Sequence, residues 1–278
     1  PLGNGLINST WVIETKGKKF VLQKINQQVF KRPEDIAFNI SQLAAYLKKQ
    51  HPGYLFTAAV QTVSGYDMVK EDGEYYRVFN FIHGSHTIDV LQDPGQAYEA
   101  ARQFAKFSNR LSQFDVAQLK ITLPHFHNLT LRYQQFEEAL QNGNKERIIQ
   151  SGNLIASIKE NKNIVDRFED CKKILKTRCT HHDTKISNVL FDEQDKGICV
   201  IDLDTVMPGY FISDVGDMMR TYLCPVSEEE KDLSKIVVRK AFYDAIVDGY
   251  LAEMGEELGQ TEKKYFHFAG EFMIYMQA

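Results

Sequence analysis

The stretch HHDTKISNVLF, residues 181–191, concentrates side chains that could do chemistry in one short run. It contains two histidines, an aspartate, a lysine and an asparagine, and it ends in an apolar segment typical of a strand. Three kinds of site are compatible with these residue types: a metal cluster, a hydrolytic site, and a loop that faces a phosphate group. The stretch alone leaves all three open, and the residues that follow it distinguish between them.

A short hairpin is predicted directly after this stretch. Its strands, residues 189–191 and 198–201, flank the turn-forming segment DEQDKG, so Asn188 precedes the first strand and Asp202 follows the second. Because the two ends of an antiparallel hairpin lie side by side, an amide oxygen and a carboxylate come together. Both are hard oxygen ligands of the kind that Mg²⁺ prefers. Asp183, on the loop that enters the hairpin, is a carboxylate that could accept a proton from a substrate hydroxyl.

Two other interpretations of the same residues are disfavoured. A metal hydrolase built on His181, His182, Asp183 and Asp202 lacks the HxH or HExxH spacing, and adjacent histidines on an extended chain point in different directions. A purely structural interpretation, in which Asp183 caps a helix and Asp202 is a turn residue, requires several independent matches to coincide. The pattern therefore favours a phosphoryl-transfer loop.

The order H-x-D-x-x-x-x-N, a hairpin and then I-D resembles the catalytic and metal loops of the aminoglycoside phosphotransferase/choline kinase superfamily, the small-molecule branch of the protein-kinase-like fold. The resemblance implies that Asp183 is the catalytic base and that Asn188 and Asp202 bind a metal ion. It also implies ATP and Mg²⁺ as cofactors of an enzyme that phosphorylates an alcohol. His181 matches the motif histidine and Asp214 lies in the segment DVGD, and we expect both to brace the loop.

Strand patterns dominate the first part of the chain and helical patterns dominate the rest. The segments STWVIET and KKFVLQKI flank a turn, a helix begins at Pro33, and a second hairpin surrounds residues 72–73. From Pro94 onward apolar residues recur at helical spacing. The sequence therefore predicts an α+β chain of two lobes, and the resemblance implies a bilobal protein-kinase-like fold. Residues 1–83 would form a small antiparallel β-rich nucleotide-binding lobe with one helix, and residues 84–278 a large, mainly helical catalytic and substrate-binding lobe.

Several segments of the first lobe are predicted to bind the nucleotide. Alternation places Lys24 on one strand face with Phe20 and Leu22. The superfamily keeps its phosphate-binding lysine at this position, so the resemblance implies that Lys24 contacts the phosphates. The glycine-containing segment GNG could approach phosphates through its backbone N–H groups, and residues 80–84 form an extended connector between the lobes. The nucleotide-binding residues predicted in these two segments are Gly3, Gly5, Asn80, Phe81 and Ile82.

The partner of the strand lysine is not determined by the sequence. Protein-kinase-like enzymes usually pair this lysine with a glutamate in the following helix. Here the helix carries Glu34 and Asp35 only in its first turn and Asn39 near its middle. A substitution by Asn39 and a reach by Glu34 both stay open. The missing glutamate also motivates an alternative of another class, an inactive nucleotide-binding module.

Within the superfamily the chain resembles N-acetylhexosamine 1-kinases over nearly its whole length. The resemblance rests on FVLQKIN, YYRVFNFI, FHNLTLRYQQFEEAL and ICVIDLDTVMPG. It implies transfer of the ATP γ-phosphate to the anomeric hydroxyl of N-acetylglucosamine or N-acetylgalactosamine. Contacts to the sugar would come from Asp204, Arg220, His127 and Arg132. A kinase of another small alcohol, such as homoserine, choline, methylthioribose or an aminoglycoside, is the alternative.

The composition excludes several classes of partner. With 33 basic and 37 acidic residues the net charge is -4, which provides no electrostatic basis for binding nucleic acid or an anionic membrane. No apolar run approaches the roughly 20 residues that span a bilayer, and the four cysteines form no CxxC pair. We therefore expect a cytoplasmic protein with free thiols. The chain begins without methionine and ends in an apolar segment, so we interpret it as a fragment with both true ends missing; its oligomeric state is left open.

Overall fold

The computed structural model describes residues 7–226 and 230–278, and its first part is a four-stranded antiparallel sheet. The strands are β1 (Ser9–Thr15), β2 (Lys18–Ile25), β3 (Val69–Glu71) and β4 (Glu74–Asn80), and their order in the sheet is β1-β2-β4-β3. Tight turns at residues 16–17 and 72–73 close the two hairpins, and all four turn residues have positive φ. Positive φ at both central residues is typical of type I′ turns, which match the twist of paired strands. Both predicted hairpins are confirmed.

One helix, α1 (Pro33–Gln50), lies between the two hairpins in the chain. Proline occupies its first turn, where a missing N–H removes no helical hydrogen bond. Its buried apolar positions are spaced by three or four residues and join the hydrophobic core: Ile36, Ile40, Leu43 and Leu47. The helix ends at Gln50, and its C-cap residue His51 precedes a proline that cannot continue it. The predicted helix is confirmed.

The second part of the chain is mainly helical. Its helices are α2 (Pro94–Arg110), α3 (Leu129–Asn142), α4 (Lys145–Gln150), α5 (Gly152–Glu160), α6 (Asn163–Ile174), α7 (Phe211–Tyr222), α8 (Lys240–Met254), α9 (Gln260–Lys263) and α10 (Phe266–Gln277). Two small sheets come between α6 and α7: β5 (Arg178–Thr180) pairs with β8 (Met207–Gly209), and β6 (Val189–Phe191) with β7 (Gly197–Val200). The α+β fold of two lobes is confirmed, and the predicted hairpin is the β6–β7 pair. Within the described residues no helix is long and apolar enough to cross a bilayer.

Glycines allow the helices of this second lobe to approach closely. On α8, a Cβ added at Gly249 would lie 2.3 Å from the carbonyl oxygen of Tyr98 on α2. On α7, a Cβ added at Gly216 would lie 2.3 Å from the carbonyl oxygen of Ala269 on α10. Both distances are far below a van der Waals contact, so these helix pairs depend on the absence of a side chain. The packing of α7 matters for function, since this helix carries Asp214.

Replacing Gly249 with alanine is expected to lower the free energy of unfolding by about 1–3 kcal/mol, because the added methyl group must displace α8 from α2. Urea unfolding followed by circular dichroism measures the change. Asp248→Ala, at an exposed position one residue earlier on α8, is the matched control and should stay within about 0.5 kcal/mol of the wild type. Equal stability of Gly249→Ala and the wild type would contradict the close approach to Tyr98.

Candidate active site

The loop that joins β5 to β6 is held by the buried carboxylate of Asp214, in the first turn of α7. Asp214 Oδ2 accepts a hydrogen bond from the backbone N–H of His181 at 3.1 Å, and Oδ1 accepts one from the N–H of His182 at 2.8 Å. Burial raises the pKa of Asp214 to about 7, and these two N–H groups act in the opposite direction. A buried carboxylate without such donors is costly, so the loop and α7 hold each other in place.

His181 orients the backbone of the loop. Its Nδ1 accepts a hydrogen bond from the N–H of Asp183 at 3.3 Å, so Nε2 carries the ring proton and donates to the Ile201 carbonyl oxygen at 3.0 Å. Burial lowers the pKa of His181, which favours this neutral ring. The ring also meets Phe104 edge-on, with 5.1 Å between centroids. These contacts tie the loop to the strand end beyond β7 and leave no nitrogen of His181 for a metal ion.

His182 is engaged in the same way. Its Nδ1 lies 3.1 Å from the carbonyl oxygens of Thr180 and Thr205, and burial lowers its pKa well below the usual value. Gly209 on β8 leaves room for the ring, because an added Cβ there would lie 2.4 Å from His182 Nε2. Among residues 7–226 and 230–278, no three His, Cys, Asp or Glu side chains are grouped to hold a metal ion. A histidine metal cluster is therefore not formed there.

Asp183 lies on the loop between the two histidines and the hairpin. Its side chain is 18% exposed, and Lys185 Nζ lies 3.3 Å from its Oδ1. Asn188 Nδ2 donates a hydrogen bond to the main-chain oxygen of Asp183 at 2.9 Å. The amide of Asn188 therefore fixes the turn that follows Asp183. The carboxylate itself stays partly open to solvent, as a group that receives a substrate proton must be.

A backbone hydrogen bond closes the hairpin at its open end and brings Asn188 next to Asp202. The N–H of Ile201 donates to the carbonyl oxygen of Asn188 at 2.9 Å. Asp202 then takes a left-handed conformation, with φ of 58°, which is uncommon for a residue other than glycine. Mg²⁺ usually takes one or two protein oxygen ligands together with waters and substrate phosphates. The side-chain oxygens of Asn188 and Asp202 fit that requirement.

Negative charge accumulates around Asp202. Packing of neighbouring atoms around the carboxylate raises the pKa of Asp202, the negative charges of Asp204 and Asp183 raise it further, and the positive charges of Arg77 and Lys185 lower it. Asp202 as a whole residue is exposed to solvent, so the repulsion by the like charges is the cause that the geometry supports. A divalent cation would relieve their repulsion. The electrostatics therefore fit a metal ion at this turn.

Asp204, whose contact with the sugar stays a prediction, is engaged by side chains of the first lobe. Its side chain is 1% exposed and forms an ion pair with Arg77 on β4, and Asn8 Nδ2 donates to its Oδ2 at 2.7 Å. Gln23 on β2 in turn accepts two hydrogen bonds from Arg77, at 2.9 and 2.5 Å. Asp204 lies in a 3-10 turn formed by residues 203–205. This turn directs Asp204 into the first lobe.

Lys24 lies on the opposite face of the sheet from Arg77. The strand register pairs Gln23 with Arg77 and Lys24 with Tyr76, and directly paired side chains share a face. Lys24 Nζ instead forms an ion pair with Glu74 Oε1 at 2.9 Å. The contact of Lys24 with the phosphates stays a prediction, and the structure shows Lys24 paired with Glu74. Alternation identifies the residues that share a face, but not which of the two faces meets the second lobe.

The two candidate partners of Lys24 on α1 contact other groups. Glu34 accepts a hydrogen bond from the hydroxyl of Tyr75. Asn39 is buried, and its Nδ2 donates to the carbonyl oxygens of Lys120 and Val206 at 2.8 and 3.0 Å. Asn39 therefore links α1 by hydrogen bonds to the backbone of the second lobe, close to the turn that carries Asp204.

The connector after β4 contains three predicted nucleotide-binding residues. Asn80 is the last residue of β4, and Phe81 and Ile82 follow it without regular secondary structure. The hydroxyl of Ser85 donates to the Ile82 carbonyl oxygen at 2.7 Å. This segment is the expected link between the lobes. Two further predicted nucleotide-binding residues lie outside the described residues: Gly3 and Gly5.

Two arginines were predicted to contact the sugar, and one of them, Arg220, is linked to the loop between β5 and β6. Arg220 pairs with Asp217 at 2.8 Å, and Asp217 Oδ2 accepts a hydrogen bond from the N–H of Thr184 at 2.7 Å. Arg132 is exposed on α3, and its Nη1 donates to Gln135 at 2.9 Å. The structure therefore brings Arg220, through Asp217, to the residue after Asp183 and leaves Arg132 on the helix surface.

A cavity of about 210 Å³ lies beside His182. His127 forms part of its wall, stacked on Phe126 with 4.5 Å between centroids and edge-on to His182 at 5.3 Å. Burial, with the positive charges of Arg220 and Arg132, lowers the pKa of His127 to about 3. Its Nδ1 is buried and has no hydrogen-bond partner in the described part of the chain. Other lining residues are Leu123, Asn128, Phe168, Met207, Tyr210 and Ser213.

Two residues at the site were not predicted from the sequence. Lys185 stands two positions after Asp183 in the same loop, so its place in the motif was a signal for it. Arg77 is the single basic residue of β4, and a charge within a predicted strand was the signal there. Neither signal determines a contact, because the ion pair of Arg77 joins residues 127 positions apart.

Comparison with known proteins identifies the family of this chain. Residues 1–258 match the phosphotransferase enzyme family, APH. Amicoumacin kinase hAmiN in complex with AMP-PNP, Ca²⁺ and Ami is 14% identical, with a TM-score of 0.64 over 98% of this chain and 77% of that chain. The microcompartment-associated aminopropanol kinase is also 14% identical, with a TM-score of 0.65 over 98% of this chain and 81% of that chain.

A third solved structure is similar in fold to this chain. The aminoglycoside phosphotransferase from Alicyclobacillus acidocaldarius subsp. acidocaldarius DSM 446 is 13% identical, with a TM-score of 0.56 over 99% of this chain and 88% of that chain. At such identities these structures share the fold with this chain. The family match covers most of the sequence and contains the whole loop and hairpin described above. The chain therefore belongs to the phosphotransferase enzyme family.

Proposed function

We propose that this phosphotransferase uses ATP and Mg²⁺ to phosphorylate the anomeric hydroxyl of an N-acetylhexosamine. The observation that carries the proposal is the meeting of Asp183, Asn188 and Asp202 at the open end of one hairpin, on a chain that belongs to a phosphotransferase family. The hexosamine as acceptor rests on the resemblance of the sequence to N-acetylhexosamine 1-kinases. The two levels of the proposal have separate tests.

Asn188 and Asp202 are proposed to hold Mg²⁺, which neutralises charge on the phosphoryl group when it is bound. The repulsion that Asp202 experiences from Asp204 and Asp183 favours a cation at this place. A solved kinase with the same fold binds AMP-PNP and Ca²⁺, which supports a nucleotide and a divalent metal. Residues 80–82, which link the lobes, are proposed to contact the base of the nucleotide.

Asp183 is proposed to orient the anomeric hydroxyl and to accept its proton. Lys185, 3.3 Å from Asp183 Oδ1, limits the directions in which the carboxylate points. The hydrogen bonds of His181 and Asn188 to the backbone of Asp183 fix the position from which it acts. A base held in this way needs little reorganisation when the hydroxyl arrives. Arg220 acts through Asp217, which holds the N–H of the next residue.

The cavity beside His182 is proposed to receive the acceptor. Its volume of about 210 Å³ is below the roughly 300–1,000 Å³ of pockets for drug-sized ligands. This size favours a single sugar over a multi-ring aminoglycoside. Phe126 and Tyr210 offer aromatic surface to an apolar sugar face, and the buried Nδ1 of His127 lacks a partner among the described residues. A sugar hydroxyl or the acetamido group would satisfy it.

A small amino alcohol is the second candidate acceptor. An aminopropanol kinase shares the fold with a TM-score of 0.65, and a small cavity would also accept such a molecule. A choline-like acceptor would need an aromatic cage, and Phe126, Phe168 and Tyr210 line this cavity together with the polar His127 and Asn128. A direct screen decides between a sugar, an amino alcohol and a quaternary amine.

Asp183→Asn is expected to lower the turnover number by roughly 10²–10⁴, because the amide cannot accept the acceptor's proton. The dissociation constant for Mg²⁺–AMP-PNP should stay within about twofold, since Asn preserves the shape of the side chain. Coupled ATPase kinetics and calorimetry measure the two quantities. Glu193→Gln, an exposed carboxylate on the β6–β7 turn, is the control for the same chemical change. An unaltered turnover number in Asp183→Asn would exclude it as the base.

Asp202→Ala is expected to remove the Mg²⁺-dependent part of nucleotide affinity, because Asp202 is the proposed carboxylate ligand of the metal. AMP-PNP binding is measured by calorimetry in Mg²⁺ and again in EDTA. In the wild type the two dissociation constants should differ by at least about tenfold, and in the variant they should converge. A variant that binds Mg²⁺–AMP-PNP as tightly as the wild type would refute the metal role.

A phosphorylation screen tests the acceptor. N-acetylglucosamine and N-acetylgalactosamine should give a sugar 1-phosphate, identified by ³¹P NMR and by its acid lability. The methyl glycosides of both sugars, whose anomeric oxygen is blocked, are the matched controls and should not react. Choline, homoserine, 1-amino-2-propanol, methylthioribose and kanamycin complete the panel. Turnover of a methyl glycoside, or of an amino alcohol and no hexosamine, would overturn the acceptor assignment.

A further inference from the structure

An ion pair between the lobes is almost completely buried. Arg77, on β4 of the first lobe, pairs through Nη2 with Oδ1 of Asp204, and their side chains are 2% and 1% exposed. Asp204 belongs to the turn of residues 203–205, which begins directly after Asp202. The ion pair therefore links the sheet of the first lobe to the turn of the second lobe that directly follows Asp202, the proposed metal ligand.

Two further polar side chains complete this contact. Oδ2 of Asp204 accepts a hydrogen bond from Asn8 at 2.7 Å, and Oδ1 of Asn8 accepts one from the N–H of Asn26 at 2.9 Å. Gln23 Oε1 accepts from Nε and Nη2 of Arg77 at 2.9 and 2.5 Å. Strands β2 and β4 and the segment before β1 thus converge on one carboxylate. That carboxylate cannot shift without breaking several bonds at once.

Stability alone does not explain this pair. Taking two charges out of water is expensive, and well-packed apolar residues of similar volume are often as stable or more stable. Moreover, Nη1 of Arg77 is buried and has no hydrogen-bond partner among the described residues, which adds a further desolvation penalty. A buried charge that is only partly satisfied calls for a functional reason.

The place of the pair in the fold indicates that reason. The sheet cation expected at the phosphates, Lys24, faces the other side of the sheet and pairs with Glu74. On the face that meets the second lobe, the register places Gln23 beside Arg77. Arg77 also forms the ion pair with Asp204, which lies two residues after Asp202 in the chain. Arg77 is therefore the basic residue of the sheet that acts on the metal-binding turn.

We propose that Arg77 is a positioning residue for metal binding. It holds Asp204, and through Asp204 it fixes the turn that presents Asp202, so the first lobe sets the geometry of the metal ligand. Lys24 pairs with Glu74 and not with a carboxylate of α1, and the buried ion pair of the sheet is that of Arg77 with Asp204. The inference rests on the part of the proposed function that assigns ATP and Mg²⁺ to this chain, and it does not depend on the acceptor.

The test compares AMP-PNP binding in Mg²⁺ and in EDTA for Arg77→Met, Asp204→Asn and the double variant. Loss of a group that orients a metal ligand typically lowers metal affinity or activity by about 10–100-fold. Each single variant should therefore raise the dissociation constant in Mg²⁺ by about 10–100-fold and leave the constant in EDTA within about twofold. The double variant should be no worse than either single variant, because the two residues act as a pair.

Two further substitutions make the comparison specific. Arg102→Met removes an arginine from a partly buried ion pair with Glu99 on α2 and is the matched control, with both constants unchanged. Lys24→Met tests whether the other basic residue considered on the sheet, and not Arg77, supports Mg²⁺-dependent binding of AMP-PNP. If Arg77→Met does not fold, Arg77→Lys carries the same test, because it keeps the charge but loses the guanidinium that bonds Gln23 and Asp204 together.

Three outcomes would overturn the inference. Mg²⁺-dependent affinity could survive in both Arg77→Met and Asp204→Asn. Affinity could fall equally in Mg²⁺ and in EDTA, which is the result expected of a purely structural pair. Finally, the Mg²⁺-dependent part of AMP-PNP affinity could be lost in Lys24→Met and in no other variant. The binding assay contains no acceptor, so its result can be interpreted even if the hexosamine assignment is wrong. A wild-type protein that binds no nucleotide would overturn the proposed function as well.

Discussion

The active-site geometry depends on one buried carboxylate that accepts two backbone N–H groups. Asp214 receives the hydrogen bonds of His181 and His182, and it stands on a helix whose packing needs Gly216 against α10. Without these donors a carboxylate at this depth would take up a proton or draw in water. The donors therefore keep α7 and the loop together, and this attachment determines where Asp183 begins. Every later contact of the loop builds on that position.

The loop shows how residue types alone mislead. Two adjacent histidines suggest metal binding, but both rings are buried, both pKa values are lowered, and their nitrogens contact backbone groups. The residues proposed to meet the metal are an amide and a carboxylate, Asn188 and Asp202, which the sequence places just before the first strand and just after the second strand of one hairpin. Their proximity was predictable because hairpin pairing is local: a short turn determines which strand ends meet.

Contacts between distant segments were not predictable in this way. Alternation along β2 correctly separates Gln23 from Lys24, yet either face could have met the second lobe. That choice depends on how α1 and the second lobe pack, and it assigned the buried side to Arg77 rather than to Lys24. The direction of Asp204 depends on long-range packing in the same way, since its 3-10 turn brings the side chain to Arg77 of the first lobe. Local patterns determine elements, whereas long-range packing determines which side chains meet.

The acceptor is the property that the fold determines least. Kinases with this fold and TM-scores of 0.64 and 0.65 are named for amicoumacin and for aminopropanol, so the shared scaffold does not select an acceptor. In the function proposed here, selection comes from side chains that line the cavity, such as His127 and Tyr210. The buried Nδ1 of His127 has no hydrogen-bond partner among the described residues, so in this proposal it favours an acceptor that supplies a hydrogen bond over an apolar one. Discrimination by such a buried polar group is stronger than by cavity size, because leaving it unpaired keeps its full desolvation cost.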